Sequence, residues 1–314
     1  MRAVVIEGGE LGVEERPDPL PGDTELAVAV EAAGINAADL LQRRGLYPAP
    51  AGSPADVPGM ELAGVVVAAG RQVTRFGPGD RVMAVVGGGA QATRCVVDER
   101  HALAVPDTVG WAEAGGFPEA FSTAHDALFT QCGLTVGERV LVTGAAGGVG
   151  TAAVQLAAAA GARVVASVRD PSLHEAVAGL GAAEVVEPDQ VAAAGPYDVV
   201  LELVGAASLP TALRALATGG RIAVIGVGGG ARVELDLLAL MVARGRISGS
   251  TLRARGRAEK AAVAAGVAAH ALPLLARGVV RVPVCATFGL DEAPAAYERF
   301  ERGGKFGKVV LLAP

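Results

Sequence analysis

One continuous segment, residues 139 to 170 with the sequence RVLVTGAAGGVGTAAVQLAAAAGARVVASVRD, constrains the fold more than any other part of the chain. It opens with a short apolar run rich in β-branched residues, turns at Gly144, Gly147 and Gly150, and continues in helix formers up to residue 160. This pattern predicts a strand, a sharp turn, a helix and a second strand in immediate succession. Such a unit is typical of a doubly wound parallel sheet covered by helices.

The turn in this segment, residues 144 to 150 and called the glycine turn below, predicts a dinucleotide-binding site. A Cβ at such a turn would block the approach of backbone N–H groups to a pyrophosphate, and the N-terminus of the following helix attracts the same charge. The alternative is a tight turn without a ligand, but the flanking strand and helix supply the context that the motif requires. The expected cofactor contacts are Gly144, Gly147, Gly148, Val149 and Gly150.

The residues at the end of the second strand bear on the choice between NAD and NADP. A carboxylate there would bind the ribose 2′-hydroxyl of NAD and repel the 2′-phosphate of NADP. The chain instead has Ser167 and Arg169, whose hydroxyl and guanidinium groups suit a phosphate. Asp170 leaves alternatives open, because it could neutralise Arg169 or face the ribose, and Arg169 could be a solvated loop residue. The sequence favours NADPH as the cofactor.

Strands and helices alternate from about residue 121 to residue 257, whereas the flanking parts of the chain follow a different pattern. The first 118 residues contain short strand-like runs broken by Gly, Pro and Asp, and the last part carries an alanine-rich helix, a second helix and a strand. We therefore predict a dinucleotide-binding domain at residues 119–257 and a mostly β domain formed by residues 1–118 and 258–314.

Composition excludes several classes of function. The 314 residues are 51% hydrophobic and 19% charged, which is enough apolar material for two cores. A net charge of −6 and a pI near 5.4 argue against binding to nucleic acid or to anionic membranes. No signal peptide and no membrane-spanning stretch is evident, so we expect a cytoplasmic location. The cysteines Cys95, Cys132 and Cys285 and the four histidines have no metal-ligand or disulfide spacing.

Several stretches carry a resemblance that covers nearly the whole chain. They are GINAADLLQRRGLYP at 34–48, PGMELAGVVVAAG at 58–70, FGPGDRV at 76–82, FPEAFSTAHDALF at 117–129, the glycine turn, GGRIAVIG at 219–226, STLRARGRAEK at 250–260 and GKVVL at 307–311. In this order the stretches resemble the zinc-independent quinone oxidoreductase branch of the medium-chain dehydrogenase/reductase superfamily, the group of zeta-crystallin. The resemblance implies an α/β fold, with a Rossmann doubly wound parallel sheet domain plus a mostly β GroES-like catalytic domain.

The chain departs from the zinc-dependent relatives at two ligand positions. Their pattern has Cys after Gly-Ile and His in Gly-His-Glu, where this chain has Asn36 and Met60. The region in which many relatives insert a structural zinc lobe holds only Cys95. Zinc sites need three or four N or S ligands, so we predict no metal. Without a Lewis acid, an alkoxide is poorly stabilised, which favours a conjugated acceptor that spreads negative charge itself.

The resemblance also implies roles for individual residues. Tyr47 is similar to the family's cleft tyrosine and is the candidate proton or hydrogen-bond donor, although it could merely line the pocket. Asn36 resembles a residue near the nicotinamide ribose, or else is a turn residue. Thr123 resembles a cofactor contact, with an N-cap or helix-face hydroxyl as the alternative.

Further cofactor contacts are expected at the carboxyl edge of the sheet and in two matched segments. Backbone groups at the ends of two strands should bind ribose and carboxamide. The expected contacts are Val204, Gly205, Ile225, Gly226, Val227, Thr251, Leu252, Arg253 and Lys308. For Arg253 and Lys308 a solvated surface position is the alternative. Glu61 and Asp39 are expected to hold loops through hydrogen bonds to backbone N–H groups.

These observations predict an NADPH-dependent, zinc-independent oxidoreductase that transfers a hydride to a small quinone or enone. Two alternatives stay open: an enoyl reductase acting on an α,β-unsaturated carbonyl or thioester, and a non-catalytic NADPH-binding protein. Substrate-pocket residues should come from the loops at 45–58 and 87–92. The family commonly dimerises through the outer edges of its nucleotide-binding sheets, which implies a homodimer through the strand near residues 246–251.

Overall fold

A computed structural model describes all 314 residues of the chain. The chain forms two compact units: the first unit consists of Met1–Glu119 and Leu252–Pro314, and the second unit of Ala120–Thr251. The second unit ends at residue 251, earlier than the residue 257 predicted from the sequence. The physical reason is that the side chain of Arg253 is anchored by acceptors of the first unit.

The bounds of the elements are as follows. The strands are β1 (Arg2–Glu7), β2 (Glu10–Glu15), β3 (Glu25–Ile35), β4 (Glu61–Ala69), β5 (Arg81–Val85), β6 (Arg94–Asp98), β7 (Ala102–Ala104), β8 (Arg139–Val142), β9 (Arg163–Ser167), β10 (Glu184–Val186), β11 (Tyr197–Glu202), β12 (Leu216–Val224), β13 (Arg246–Gly249), β14 (Val284–Gly289) and β15 (Lys308–Leu312). The helices are α1 (Ala37–Arg43), α2 (Trp111–Gly116), α3 (Pro118–His125), α4 (Gly148–Ala159), α5 (His174–Ala178), α6 (Leu209–Arg214), α7 (Leu237–Ala243), α8 (Arg257–His270), α9 (Leu272–Ala276) and α10 (Ala293–Glu301).

The second unit is built on a six-stranded parallel sheet in the order β10-β9-β8-β11-β12-β13. Its strands are buried apolar runs, with Leu141, Val165, Val200 and Ile222 in the core. The chain adds strands outward on one side from β8 and then on the other from β11. The order therefore reverses between β8 and β11, which is where open sheets of this kind bind ligands. The predicted doubly wound parallel sheet is confirmed.

The first unit contains a seven-stranded, mostly antiparallel sheet and a separate β1-β2 ribbon. The order of the large sheet is β14-β15-β3-β4-β5-β7, with β6 also paired to β3. Strand β15, near the C-terminus, pairs with β3 so that Val309 lies opposite Ile35. Strand β4 pairs with the other edge of β3. The neighbouring ends of β3, β4 and β15 thus come together, and this arrangement positions the site in this unit.

One surface segment differs from the expectation that no stretch could span a membrane. Residues Arg257–Ala276 form a helical stretch of 20 residues that is long and apolar enough to cross a bilayer by length and composition. Most of the stretch lies outside the core, and alanine dominates it. A single helix that meets this test is weak evidence for a membrane span.

Candidate active site

The glycine turn connects β8 to α4 and owes its shape to missing side chains. Gly144 has a φ of +59°, a left-handed conformation that glycine adopts at no steric cost. A Cβ at Gly150 would lie 2.5 Å from the carbonyl oxygen of Gly144 and 2.6 Å from Cα of Ala145. The first turn of α4 can therefore pack against the glycine turn only because residue 150 has no side chain.

No side chain caps the N-terminus of α4. Gly147 is the N-cap residue and cannot accept a hydrogen bond from the first helical N–H groups. The five predicted contacts of this motif, Gly144, Gly147, Gly148, Val149 and Gly150, lie in the turn and the first turn of the helix. Backbone N–H groups without intrahelical partners and the positive end of the helix dipole favour an anion here.

The end of β9 lies next to the glycine turn. The carbonyl oxygen of Ser167 accepts a hydrogen bond of 3.1 Å from the N–H of Ala145. Arg169 is exposed and forms no ion pair. The carboxylate of Asp170 instead accepts hydrogen bonds from N–H and Oγ of Ser172, at 3.0 and 2.7 Å, and these bonds lower its pKa. Asp170 is thus engaged in its own turn, and the guanidinium of Arg169 remains available.

Glu202, at the end of β11, organises the adjacent strand ends and was not singled out from the sequence. It is fully buried, and its Oε1 accepts hydrogen bonds from Thr143 Oγ1 at 2.9 Å and Ser208 Oγ at 2.6 Å. The same oxygen accepts the N–H groups of Val204 and Gly205, at 2.7 and 2.8 Å. The sequence signal that could have identified Glu202 is a single Glu within an apolar strand, at its carboxyl end, where parallel sheets bind ligands.

These bonds limit what the neighbouring backbone can offer a cofactor. The N–H groups of Ile225 and Gly226 donate to the carbonyl oxygen of Glu202, at 2.9 and 3.2 Å. The N–H groups of Val204 and Gly205 are also hydrogen-bonded within the protein, so these four residues can offer a ligand only their carbonyl oxygens. Cofactor binding stays a prediction for these four residues, and in it they can act only as hydrogen-bond acceptors. It also stays a prediction for Val227, which is half-exposed.

Of three other predicted cofactor contacts, Thr123 and Thr251 belong to the second unit and Leu252 to the first. Thr123 lies buried inside α3, well past the helix N-terminus, so the N-cap alternative is wrong and the hydroxyl belongs to a helix face. Thr251 is exposed and ends the second unit, whereas Leu252 begins the second stretch of the first unit. Contact with cofactor stays a prediction for each of them.

In the first unit, Asp39 joins the start of α1 to the segment before β4. Its Oδ2 accepts the N–H of Asn36 at 2.8 Å, and its Oδ1 accepts the N–H of Gly59 at 3.1 Å. Complete burial raises the pKa of Asp39 to about 6, against the opposing effects of these hydrogen bonds and of the charges on Arg253 and Lys308. The predicted loop-holding role of Asp39 is confirmed, and it connects residue 36 with the residue before Met60.

A buried cluster of Asn36, Glu61 and Lys308, called the Lys308 cluster below, lies at the neighbouring ends of β3, β4 and β15. The ammonium of Lys308 donates to Glu61 Oε1 and to Asn36 Oδ1, both at 2.6 Å, and to the carbonyl oxygen of Ile35 at 3.1 Å. Asn36 Nδ2 donates to Glu61 Oε1 at 2.9 Å and more weakly to the carbonyl oxygen of Gly34 at 3.4 Å. The alternative of a solvated Lys308 is therefore wrong.

The other oxygen of Glu61 holds the start of α3. Its Oε2 accepts the N–H of Glu119 at 2.8 Å, which confirms the predicted bond to a backbone N–H. The ion pair with Lys308 was not predicted, because the two residues are 247 positions apart in the chain. A Cβ at Gly34 would overlap the carboxylate of Glu61, so glycine at that position gives the ion pair its room.

Arg253 is also buried, which excludes the solvated alternative. Its Nε donates to the carbonyl oxygen of Gly87 at 2.7 Å, Nη2 donates to Gln42 Oε1 at 2.5 Å, and Nη1 donates to the carbonyl oxygen of Tyr47 at 3.3 Å. The guanidinium lies 5.4 Å from the centroid of the Tyr47 ring. Arg253 thus ties both predicted substrate loops, 45–58 and 87–92, to α1.

The hydroxyl of Tyr47 makes no hydrogen bond within the first unit and is half-buried. Burial raises the pKa of Tyr47, while the charge of Arg253 opposes the rise. The phenol therefore remains protonated at neutral pH. A protonated hydroxyl without a protein partner can donate a hydrogen bond or a proton to a ligand.

Comparison with known proteins agrees with both units. The family model of the alcohol dehydrogenase GroES-like domain matches residues 22–134, and that of zinc-binding dehydrogenase matches residues 148–267. The quinone oxidoreductase-like protein 2 homolog of Nematostella vectensis is 30% identical over 92% of this chain and 82% of its own length. Erythronolide synthase EryA2 of Saccharopolyspora erythraea is 36% identical over 92% of this chain, which spans only 8% of the synthase.

Solved structures give the same result. The crystal structure of an NAD-dependent alcohol dehydrogenase superposes with a TM-score of 0.87 at 29% identity and covers all of both chains. The match is between whole chains, so both units of this protein have counterparts in a dehydrogenase.

Zinc, which the description of one matched family model implies, does not fit the residues of this chain. No group of three or more His, Cys, Asp or Glu side chains in the structure is arranged to hold a metal. Two carboxylates lie next to positions 36 and 60. That of Asp39 accepts two backbone N–H groups, and that of Glu61 is already neutralised by the ammonium of Lys308. A zinc ion beside Glu61 would have to compete with the ammonium group of Lys308 for the same carboxylate.

Proposed function

Because this chain belongs to the quinone-oxidoreductase-like branch of the medium-chain dehydrogenase/reductase superfamily, we propose that it is an NADPH-dependent, zinc-independent reductase of conjugated acceptors, quinones foremost. The family relationship makes it an oxidoreductase that uses a nicotinamide cofactor. What we propose beyond the family relationship is that the cofactor is NADPH, that the acceptor is a quinone and that the reaction needs no metal.

The exposed, unpaired guanidinium of Arg169 carries the proposal of NADPH. The 2′-phosphate would accept hydrogen bonds from Arg169 and from the hydroxyl of Ser167, which ends β9. Asp170, whose charge would repel a phosphate, is directed to Ser172. The glycine turn would hold the pyrophosphate through backbone N–H groups.

The residues of the first unit support a conjugated acceptor. When bound, NADPH supplies the hydride. The side chains at positions 36 and 61 do not suit zinc, because Lys308 neutralises Glu61, so in this proposal the negative charge on the reduced acceptor is spread by its own conjugation and relieved by a proton. Tyr47 is the group that would deliver this proton or a hydrogen bond, because its hydroxyl is protonated and has no protein partner. Arg253 holds the backbone of Tyr47 in place.

The test is the loss of NADPH absorbance when purified protein is mixed with 1,4-benzoquinone or 9,10-phenanthrenequinone. We expect turnover with NADPH that exceeds turnover with NADH and is unchanged by added zinc or by a chelator. Turnover that requires zinc would contradict the metal-free mechanism. Tight binding of NADPH without turnover of any acceptor would leave a non-catalytic NADPH-binding protein.

Enoyl reduction is the second candidate, and the match to erythronolide synthase favours it. That synthase aligns with 92% of this chain, so the same fold is present within a polyketide-synthesising protein. A conjugated thioester also accepts a hydride and spreads the charge into its carbonyl group. Activity with a crotonyl thioester but not with quinones would make this candidate the better one.

A homodimer is proposed from two adjacent features of the second unit. Strand β13 is the edge of the parallel sheet, so one side of its backbone is unpaired. Helix α7 nearby exposes four large apolar side chains, Leu237, Leu238, Met241 and Val242, each at least 66% exposed. We expect a dimer mass in light scattering and a shift to monomer for Met241→Asp; a monomeric parent protein would refute the proposal. A cytoplasmic location stays a prediction.

A further inference from the structure

Lys308 has no hydrogen-bond donor left for a ligand. An ammonium carries three N–H groups, and Lys308 has three acceptors around it within 3.1 Å: Ile35 O, Asn36 Oδ1 and Glu61 Oε1. Its side chain is 4% exposed and that of Glu61 is not exposed at all. The expected direct contact between Lys308 and a cofactor is therefore replaced by a contact within the protein.

The cluster determines which way the amide of Asn36 faces. Lys308 can only donate, so the group of Asn36 beside it has to be Oδ1. The amide nitrogen then faces Glu61 Oε1 and the carbonyl oxygen of Gly34, which can only accept. Both Nδ2 hydrogens are used, and what remains is one lone pair on Oδ1.

We propose that the buried ion pair between Lys308 and Glu61 fixes the amide of Asn36 as a hydrogen-bond acceptor, so that the ligand group in contact with Asn36 is a hydroxyl donor. Lys308 and Glu61 are positioning residues in this scheme. The inference rests on the proposed use of NADPH and on the predicted contact of Asn36 with the nicotinamide ribose, but not on the identity of the electron acceptor.

Charge balance within the cluster gives the inference its test. E61Q leaves the buried ammonium without a counter-charge, and N36D places two carboxylates beside one ammonium. The double variant N36D/E61Q restores one negative and one positive charge. In the double variant, the new carboxylate at position 36 can accept from Lys308 and from the new amide at position 61, so an acceptor faces the ligand again.

Dissociation constants are measured by fluorescence for NADPH and, as a control, for 2′,5′-ADP, which contains the 2′-phosphate but no nicotinamide ribose. We expect NADPH to bind about fivefold more weakly to E61Q, N36D and K308M, because each leaves an unbalanced buried charge beside residue 36 that disturbs its orientation; the loss is typical of one hydrogen bond between neutral groups. N36D/E61Q should recover most of this affinity, short of the full value because Lys308 has one acceptor fewer. N36L/E61Q, which offers no acceptor, should not recover.

Binding of 2′,5′-ADP separates positioning from folding. It should stay within about twofold in every variant, because only the nicotinamide end of the ligand depends on Asn36. Equal losses for both ligands, or a double variant no better than E61Q, would overturn the inference. So would wild-type NADPH affinity in K308M. Absence of 2′,5′-ADP binding to the parent protein would instead count against the proposed NADPH preference, and NADH and ADP-ribose would then serve as the pair of probes.

Discussion

The glycine turn and the Lys308 cluster are both built at strand ends, but they are made in opposite ways. The turn depends on missing side chains within seven successive residues, 144 to 150, and its ligand groups are backbone N–H groups. The cluster depends on three polar side chains from positions 36, 61 and 308, which are hydrogen-bonded to one another and in which Lys308 neutralises Glu61. The turn can therefore be read from a short sequence, whereas the cluster exists only after the sheet has formed.

This difference predicts that the two regions respond differently to substitution. In the glycine turn a substitution can only add atoms where space is short, so we expect its effect to be steric and local. In the Lys308 cluster a substitution can leave a buried charge without its counter-charge, so its effect depends on which charges remain. Four predictions test this contrast, beginning with the largest expected effect.

The largest effect is expected for Lys308→Met. It leaves the carboxylate of Glu61 buried without its cation, which costs about 3–5 kcal/mol when one partner of a buried pair is removed. Urea unfolding at pH 7 gives the free energy of unfolding. The variant E61Q/K308M lacks both charges and should lose less than K308M alone. Losses that simply add would show that the two side chains do not act as a pair.

Asp39 makes the same region sensitive to pH. Burial raises its pKa to about 6, whereas the pKa of this carboxyl group in the unfolded chain lies near its usual value of 3.8. The folded protein thus binds this proton more tightly, so the stabilisation is complete below the unfolded pKa and is lost as the pH rises through about 6. The two pKa values differ enough to change the free energy of unfolding by up to about 3 kcal/mol.

The measurement is urea unfolding of the parent protein and of D39N across that pH range. The stability of the parent relative to D39N should fall as the pH rises, because the amide of D39N does not titrate. A constant difference would contradict the prediction. A substitution in the glycine turn, which has no titratable side chain, should leave the slope of the parent unchanged.

Gly150→Ala should cost about 1–3 kcal/mol, as overpacking of a tight interior does. The new Cβ would meet backbone atoms of Gly144 and Ala145, which cannot rotate away as a side chain can. Gly249→Ala is the matched control, because a Cβ there has no atom within 4 Å. Thermal and urea unfolding measure both variants. Equal stabilities would show that α4 can shift away from the turn.

The smallest effect is expected for Arg169→Ala. Its side chain is exposed and forms no ion pair, so stability should not change. The preference for NADPH over NADH, measured as the ratio of dissociation constants, should fall about tenfold with the loss of a charge-assisted hydrogen bond. Arg163→Ala is the control, since Arg163 lies at the opposite end of β9 and pairs with Glu184. An unchanged ratio in R169A would place the phosphate elsewhere.

The sequence was sufficient for the parallel sheet and for the residues of the glycine turn, because period, turn residues and helix formers are local signals. It was also sufficient for the loop-holding roles of Asp39 and Glu61, which lie inside recognisable motifs. It left open whether Lys308 and Arg253 are solvated, and the structure buries both side chains. Lys and Arg side chains are usually solvated, and burial can be predicted only when their acceptors are known. Here the acceptors come from strands and loops that are distant in the sequence.

The boundary near residue 252 shows the same limit. The stretch up to residue 257 continues the pattern of the preceding strand and gives no sign of a change of unit. Only the contacts of Arg253 with Gly87 and Gln42 place it in the first unit.

By itself the sequence determined where the backbone turns and where no side chain covers it, because the absence of a Cβ acts on atoms a few residues away. The tertiary structure alone decided which polar side chains neutralise one another. The pairing of β3 with both β4 and β15 brings Asn36, Glu61 and Lys308 within 3 Å of one another. The physical reason is that charges are matched by distance in space, and strand register sets that distance.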